Sequence, residues 1–114
     1  LIPDQLNMSE NIKAISIVDK FLEHTRFFVF CNNDDNKVFI SSADWMTRNL
    51  DNRVEVTCPI FDDRIKKEII DVFNIYWKDN VKSRHVNHPT TNKYKRNAKK
   101  MFRSQEEIYK YYLK

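Results

Sequence analysis

His24 and Arg26 stand two residues apart in "EHTRFFVFC", at the head of a continuous apolar and aromatic run. Residues i and i+2 of an extended chain point to one side, so an imidazole and a permanent cation share a face there. That pair suits phosphoryl transfer, which needs a group able to move or share a proton and a cation to meet charge on phosphate oxygens. The bland reading is a histidine that merely ends a structural element. The stretch "ISSADWMTRNLDNRVEV" then crowds Ser41, Ser42, Asp44, Arg48, Asn49 and Arg53 between two strand-like runs. Hydroxyls, an amide and arginines suit a bound anion, and the turn follows the strand next to His24. Both groups are therefore expected at one sheet end, where α/β sites form.

Composition narrows the chemistry. The chain has 114 residues, 41% hydrophobic and 32% charged, and no glycine. Glycine usage is normally about 7%, and Walker and Rossmann loops need it for close approach of backbone to phosphate. Any phosphate must be held by side chains or helix N-termini instead. The net charge of +4 is uneven: residues 82–103 carry eight basic and no acidic side chains, leaving twelve basic against sixteen acidic residues elsewhere. Such a strip, with Lys95, Arg96, Lys99 and Lys100 at its centre, suits a polyanionic partner, although a solvated loop has the same composition. His85 and His88 in "HVNH" lack a carboxylate or thiol to complete a metal set, so no metal site is expected in these residues. Tyrosine and lysine alternating in "NKYKRNAKK" fit a nucleic-acid surface only weakly, with no recognition element beside them. Cys31 and Cys58 fall in apolar runs and read as reduced core thiols of a cytosolic protein. No signal peptide or membrane-length apolar run is visible. The missing initiator methionine suggests a fragment, one domain at most.

The elements that would position these residues follow from periodicity. Ile15, Val18, Phe21 and Leu22 predict a short amphipathic helix ending near His24. "RFFVFC" and "KVFIS" predict two strands joined by "NNDDN", a turn built from residues that tolerate left-handed backbone. Alternation in "RVEVTCPIF" predicts a third strand, with Arg53, Glu55 and Thr57 on one face and Pro59 at its end. Asp62 or Asp63 caps a long helix with Ile65, Ile69, Ile70, Phe73 and Trp77 as its buried stripe. Residues 81–102 have weak strand character at their edges and read mostly as loop, and a terminal helix follows with a capping box of Ser104 and Glu107. The order gives a mixed α/β layer, a β-sheet with flanking helices over residues 1–114.

Taken together, "SENIKAISIVDKFLEHTR", "VFISSADWMTRNLDNRVEVTCPIFD" and "RSQEEIYKYYL" resemble the C-terminal catalytic region of the bacterial polyphosphate kinases that use a phosphohistidine intermediate. The resemblance implies the second of two phospholipase D-like halves, and ATP, ADP and inorganic polyphosphate as ligands. His24 matches the second essential histidine, which contacts ATP. The resemblance places His24, Arg26, Ser41, Ser42, Asn49 and Arg53 around phosphate. The phosphorylated histidine and the groups that bind Mg2+ would lie upstream. It also implies a homo-oligomer in a cytoplasmic or membrane-peripheral setting. Relatives carry glycines where this chain has "LIPDQLNMSEN" and "NNDDN". Two other functions fit the residues less well: a phospholipase D-like phosphodiesterase, against which Arg26 and Asp44 replace the expected lysine and asparagine, and a non-catalytic polyanion or nucleic-acid binding module.

Overall fold

The computed structural model describes residues 2–87, 91–97 and 100–113. Among them the order is β1 (Ala14–Ile17), β2 (Phe27–Phe30), β3 (Lys37–Ser41), α1 (Thr47–Asn52), β4 (Thr57–Ile60), α2 (Asp63–Lys78), β5 (Ser83–Val86) and α3 (Ser104–Tyr112). This is a mixed α/β fold with two small sheets and flanking helices. The chain divides into two units, Glu23–Phe73 and Leu1–Leu22 with Asn74–Lys114, and the boundary falls within α2.

In the unit Glu23–Phe73, β2, β3 and β4 form an antiparallel meander in that order. Asn32, Asn33 and Asp34 all take positive φ in the first turn, the conformation expected of them in the absence of glycine. Val38 at the centre of the sheet is 1% exposed. The third strand is shorter than its alternation suggested. It begins at Thr57 rather than Arg53 and runs through Pro59, which sits opposite Phe39. β4 lies at the sheet edge, where a missing N–H leaves no ladder bond unmade. Asp62 caps α2 as expected, its Oδ1 accepting from the backbone N–H groups of Arg64 at 2.8 Å and Ile65 at 3.3 Å. The helical stripe is less buried than its pattern implied: Val72 is buried, whereas Ile65 and Phe73 remain exposed. Phe73 does meet Phe27 edge-on at 6.3 Å.

The other unit departs further from expectation. Residues 14–17 form a strand, not the start of a helix, and β1 pairs antiparallel with β5, with Ile15 opposite His85 and Ile17 opposite Ser83. A helix of about ten residues is marginal by itself. β-Branched Ile15 and Ile17 at i and i+2 suit a strand once a partner exists. Val18, Phe21 and Leu22 are left exposed. Nor does the capping box form. Arg103 is the N-cap of α3 and gives no side-chain cap bond, because the Ser104 hydroxyl donates to Asp79 instead, at 2.8 Å. The two cysteines are free and exposed rather than in a core.

Asp79 is the hub of this unit. Its carboxylate is 0% exposed. Oδ1 accepts from the backbone N–H groups of Val81, Lys82 and Ser83 at 2.8–3.0 Å, and Oδ2 accepts from the Ser104 N–H at 2.7 Å. One acid thus ties the end of α2 to the start of β5 and of α3. Burial pushes the Asp79 carboxyl up, but the hydrogen bonds from Ser104, Lys82 and Val81 outweigh it and hold the group below the ordinary carboxylate range. Asp79→Ala leaves five donors without their acceptor and is expected to lower the unfolding free energy by roughly 3 kcal/mol in urea titrations. Because the folded pKa is the lower one, this stabilisation is complete above about pH 4 and is lost as the pH falls through the folded value. The acid limb of the wild-type stability profile should therefore flatten in the variant.

Candidate functional site

Arg26 stands immediately before β2 and reaches in two directions. Its Nη1 donates to His24 Nδ1 at 3.0 Å and to the His24 carbonyl at 3.1 Å, while Nε donates to Asp44 Oδ1 at 2.6 Å. A guanidinium has no acceptor, so Nδ1 must be the accepting nitrogen of the histidine. The neutral ring then carries its proton on Nε2. His24 is exposed, and among the described residues Nε2 makes no hydrogen bond. The outcome is an oriented N–H donor backed by a cation. Asp44 neutralises part of that cation. The Asp44 carboxyl is held below its ordinary range by the Arg26 hydrogen bond first, and Arg26 is raised in turn by the same bond. The i, i+2 geometry expected of His24 and Arg26 is thus realised, with Asp44 as a third member.

Ser42 and Asn49 form a second network, organised by Glu55, with Ser41 next to it on β3. Ser42 Oγ donates to Glu55 Oε2 and accepts from the Val56 N–H at 3.0 Å. Asn49 Nδ2 donates to Glu55 Oε1 at 2.8 Å. Hydrogen bonds from Ser42 and then Asn49 hold the Glu55 carboxyl below its ordinary range. Asn49 is 3% exposed, and its Oδ1 has no partner among the described residues. Ser41 Oγ shares a 2.9 Å bond with Thr57 Oγ1, its cross-strand neighbour, and accepts from the Ala43 N–H at 3.1 Å. The two networks meet where the Ser41 N–H donates to the Arg26 carbonyl at 2.9 Å. The polar crowding of this stretch therefore closes a glycine-free turn: side-chain oxygens take the place of tight backbone bends. Arg53 is exposed and lies close enough to Glu55 to lower its pKa electrostatically.

Sequence reasoning brought together His24, Arg26, Asp44 and the serines but passed over Glu55 as the organiser of the turn. The signal was present, since Glu55 shares a face with Thr57 and sits two residues before the paired register begins. It also missed α1, six residues with Asn49 alone buried. In the other unit, the basic strip is not uniform. Lys95 turns inward, its Nζ donating to the Trp77 carbonyl and lying 5.1 Å from the Trp77 ring centroid, and desolvation lowers its pKa. Arg96 donates to the Asn80 carbonyl at 2.8 Å and is exposed, as is Lys100. Lys99 and His88 lie outside the described residues. Among the described residues no group of three potential metal-ligating side chains occurs. Asp44 and Glu55 are already engaged by Arg26, Ser42 and Asn49.

With this geometry in place, the chain can be compared with known proteins. A family model described as "Polyphosphate kinase C-terminal domain 2" matches residues 1–105. A polyphosphate kinase of Escherichia coli (strain K12) is 46% identical over 112 residues, covering 97% of this chain and 16% of the relative. One from Vibrio vulnificus (strain YJ016) is 51% identical over the same length, with the same coverage. The crystal structure of polyphosphate kinase from Porphyromonas gingivalis superposes with a TM-score of 0.93 at 43% identity, covering 98% of this chain and 17% of that one. The chain spans about one sixth of the length of the curated relatives it matches.

Proposed function

This chain belongs to the polyphosphate kinase C-terminal domain 2 family, and on that premise we propose that it acts as one domain of a longer ATP:polyphosphate phosphotransferase. In that reaction the bond from the terminal phosphorus of ATP to its bridging oxygen breaks and ADP leaves. A P–N bond forms on a histidine outside residues 1–114. That bond then breaks as a terminal oxygen of the polyphosphate chain takes the phosphoryl group, and the sequence runs in reverse with ADP as acceptor. A family model that runs through both units supports the one-domain reading.

The observation that carries the role of this segment is the 3.0 Å contact from Arg26 to His24 Nδ1. It leaves Nε2–H as a fixed donor for a phosphate oxygen and occupies the ring nitrogen that a proton shuttle would use. Between sharing a proton and transferring one, the geometry favours sharing. Arg26 adds positive charge behind the donor, and Arg53 a second cation at the turn. Ser41, Ser42 and Asn49 have the more indirect task of holding that turn. Such a kinase is expected to use Mg2+, and the same reading puts the groups that hold it upstream of this segment. A homo-oligomer and a cytoplasmic setting belong to the same reading. No helix of the described residues is long and apolar enough to cross a membrane.

The test is transfer of labelled terminal phosphate from ATP into acid-insoluble polyphosphate by the full-length protein, and its return to ADP when unlabelled ADP is added in excess. Transfer in both directions is expected. A full-length protein that cleaves phosphodiesters, or binds polyphosphate but never extends it, would contradict the reading.

A further inference from the structure

The basic strip contains one built feature that its composition did not show. Arg84 on β5 and Tyr94 form an isolated antiparallel bridge. Flanking backbone bonds run from the His85 N–H to the Lys93 carbonyl at 2.9 Å and from the Lys95 N–H to the Ser83 carbonyl at 2.8 Å. Residues 93–95 thus extend the β1–β5 pair as an edge, and directly opposed residues share a face. Side chains two apart share that face as well, so Lys82, Arg84, Tyr94 and Arg96 gather on it.

The tyrosine ring organises the cations. The Arg84 guanidinium lies 4.6 Å from its centroid and that of Arg96 4.7 Å. Stacking holds a guanidinium plane without consuming its edge donors. Arg84 also spends Nη1 on Asn92 Oδ1 and Nη2 on the Tyr94 hydroxyl, both at 2.9 Å, which fixes its rotamer. Its buried Nε has no partner among the described residues. The Tyr94 hydroxyl is lowered by the Arg84 hydrogen bond first, then by the charges of Arg84, Lys82 and Arg96. Arg26, Arg64 and Arg103, by contrast, each hold a carboxylate. Among the described residues neither Arg84 nor Arg96 forms an ion pair. Two like charges held at one ring with no counter-charge are repulsive until an anion arrives.

We propose that Arg84 and Arg96, aligned by Tyr94, form a clamp for a condensed-phosphate chain, built from residues other than His24 and Arg26. The proposal rests on the polyphosphate reading above and names the side chains of that partner's second foothold. Within the strip it shifts the contact from inward-turned Lys95 to Arg96 and adds Arg84. Neighbouring phosphates of one chain present oxygens at successive positions, so two fixed guanidiniums can be satisfied by one ligand.

The experiment is equilibrium binding of end-labelled inorganic polyphosphate to the full-length protein without ATP, across a salt series. Arg84→Gln/Arg96→Gln is expected to bind at least tenfold more weakly, with the salt slope smaller by about two contacts. Arg96→Gln alone, which also gives up the bond to the Asn80 carbonyl, should show about half of that slope change, with circular dichroism checking that the protein is folded. Arg64→Gln/Lys67→Gln, which removes the same charge from α2, should bind like wild type. Equal affinity and slope in the double variant would overturn the clamp, as would wild-type protein that does not bind polyphosphate. Binding with these variant effects in a protein that transfers no phosphate from ATP would leave the clamp standing and remove the kinase reading.

Discussion

His24→Ala in the full-length protein is expected to lower turnover by about 10²–10³ in both directions, the effect of removing one donor aimed at charge that develops in a transition state. His24→Gln is expected to lose no more than about tenfold, because a side-chain amide can place an N–H near the position of Nε2–H. The two variants together distinguish roles that a single one would merge. If the imidazole transferred a proton, glutamine would be as damaging as alanine, since an amide neither gives nor takes one near neutral pH. Geometry decides between them beforehand: Nδ1, the basic nitrogen of the neutral ring, already accepts from Arg26. Arg26→Gln should share part of the loss, since it releases the ring orientation and frees Asp44 as an uncompensated negative charge beside phosphate. Circular dichroism of each variant checks that the meander is intact. Near-normal turnover in His24→Ala would return this residue to a purely structural place at the head of β2.

The second large effect is absolute. Residues 1–114 alone, incubated with labelled ATP, are expected to yield no acid-labile phosphoprotein and no polyphosphate. One side of the phosphoryl group can be met by His24 and Arg26, but in-line transfer needs an attacking group on the opposite side. Among the described residues His85 is the other histidine besides His24, and it lies on β5, in the other unit. Accumulation of phosphohistidine on this segment would sink the division of labour proposed here. Polyphosphate binding by the clamp does not depend on that chemistry.

The contrast between what could be read from the sequence and what could not follows the range of the interactions. The β2–β3 hairpin is legible because its signal is local: an aromatic run, then Asn and Asp residues that take positive φ at Asn32, Asn33 and Asp34. The long helix is legible because Asp62 and a 3.6-residue period announce it, although the period overstated the burial of Ile65 and Phe73. β1 is not legible because its partner β5 lies some 70 residues away, as Ile15 opposite His85 shows. Without that partner its residues read as helix. Asp79 has the same difficulty, since Ser104 is 25 residues distant, and the serine's apparent capping role conceals its real acceptor. At the site, His24, Arg26 and Asp44 could be found because strand geometry and sheet-end logic are general. The indirect roles of Ser42 and Asn49 could not, because they depend on which oxygen of Glu55 each donor meets, nor could that of Ser41, which depends on its cross-strand register with Thr57. Arg84 and Tyr94 escaped notice because a single bridge leaves no periodic trace.

In the function proposed above, this segment binds and orients the phosphoryl group while a histidine elsewhere carries it. Mapping the label in full-length protein after brief exposure to ATP labelled in the terminal phosphate tests that most directly. Peptides would be separated under alkaline conditions that preserve P–N bonds. Label is expected on a histidine outside residues 1–114, chased into polyphosphate on longer incubation, with the peptide bearing His24 unlabelled. Label on His24 itself, or a labelled phosphohistidine elsewhere that forms and discharges at wild-type rates in His24→Ala, would contradict it.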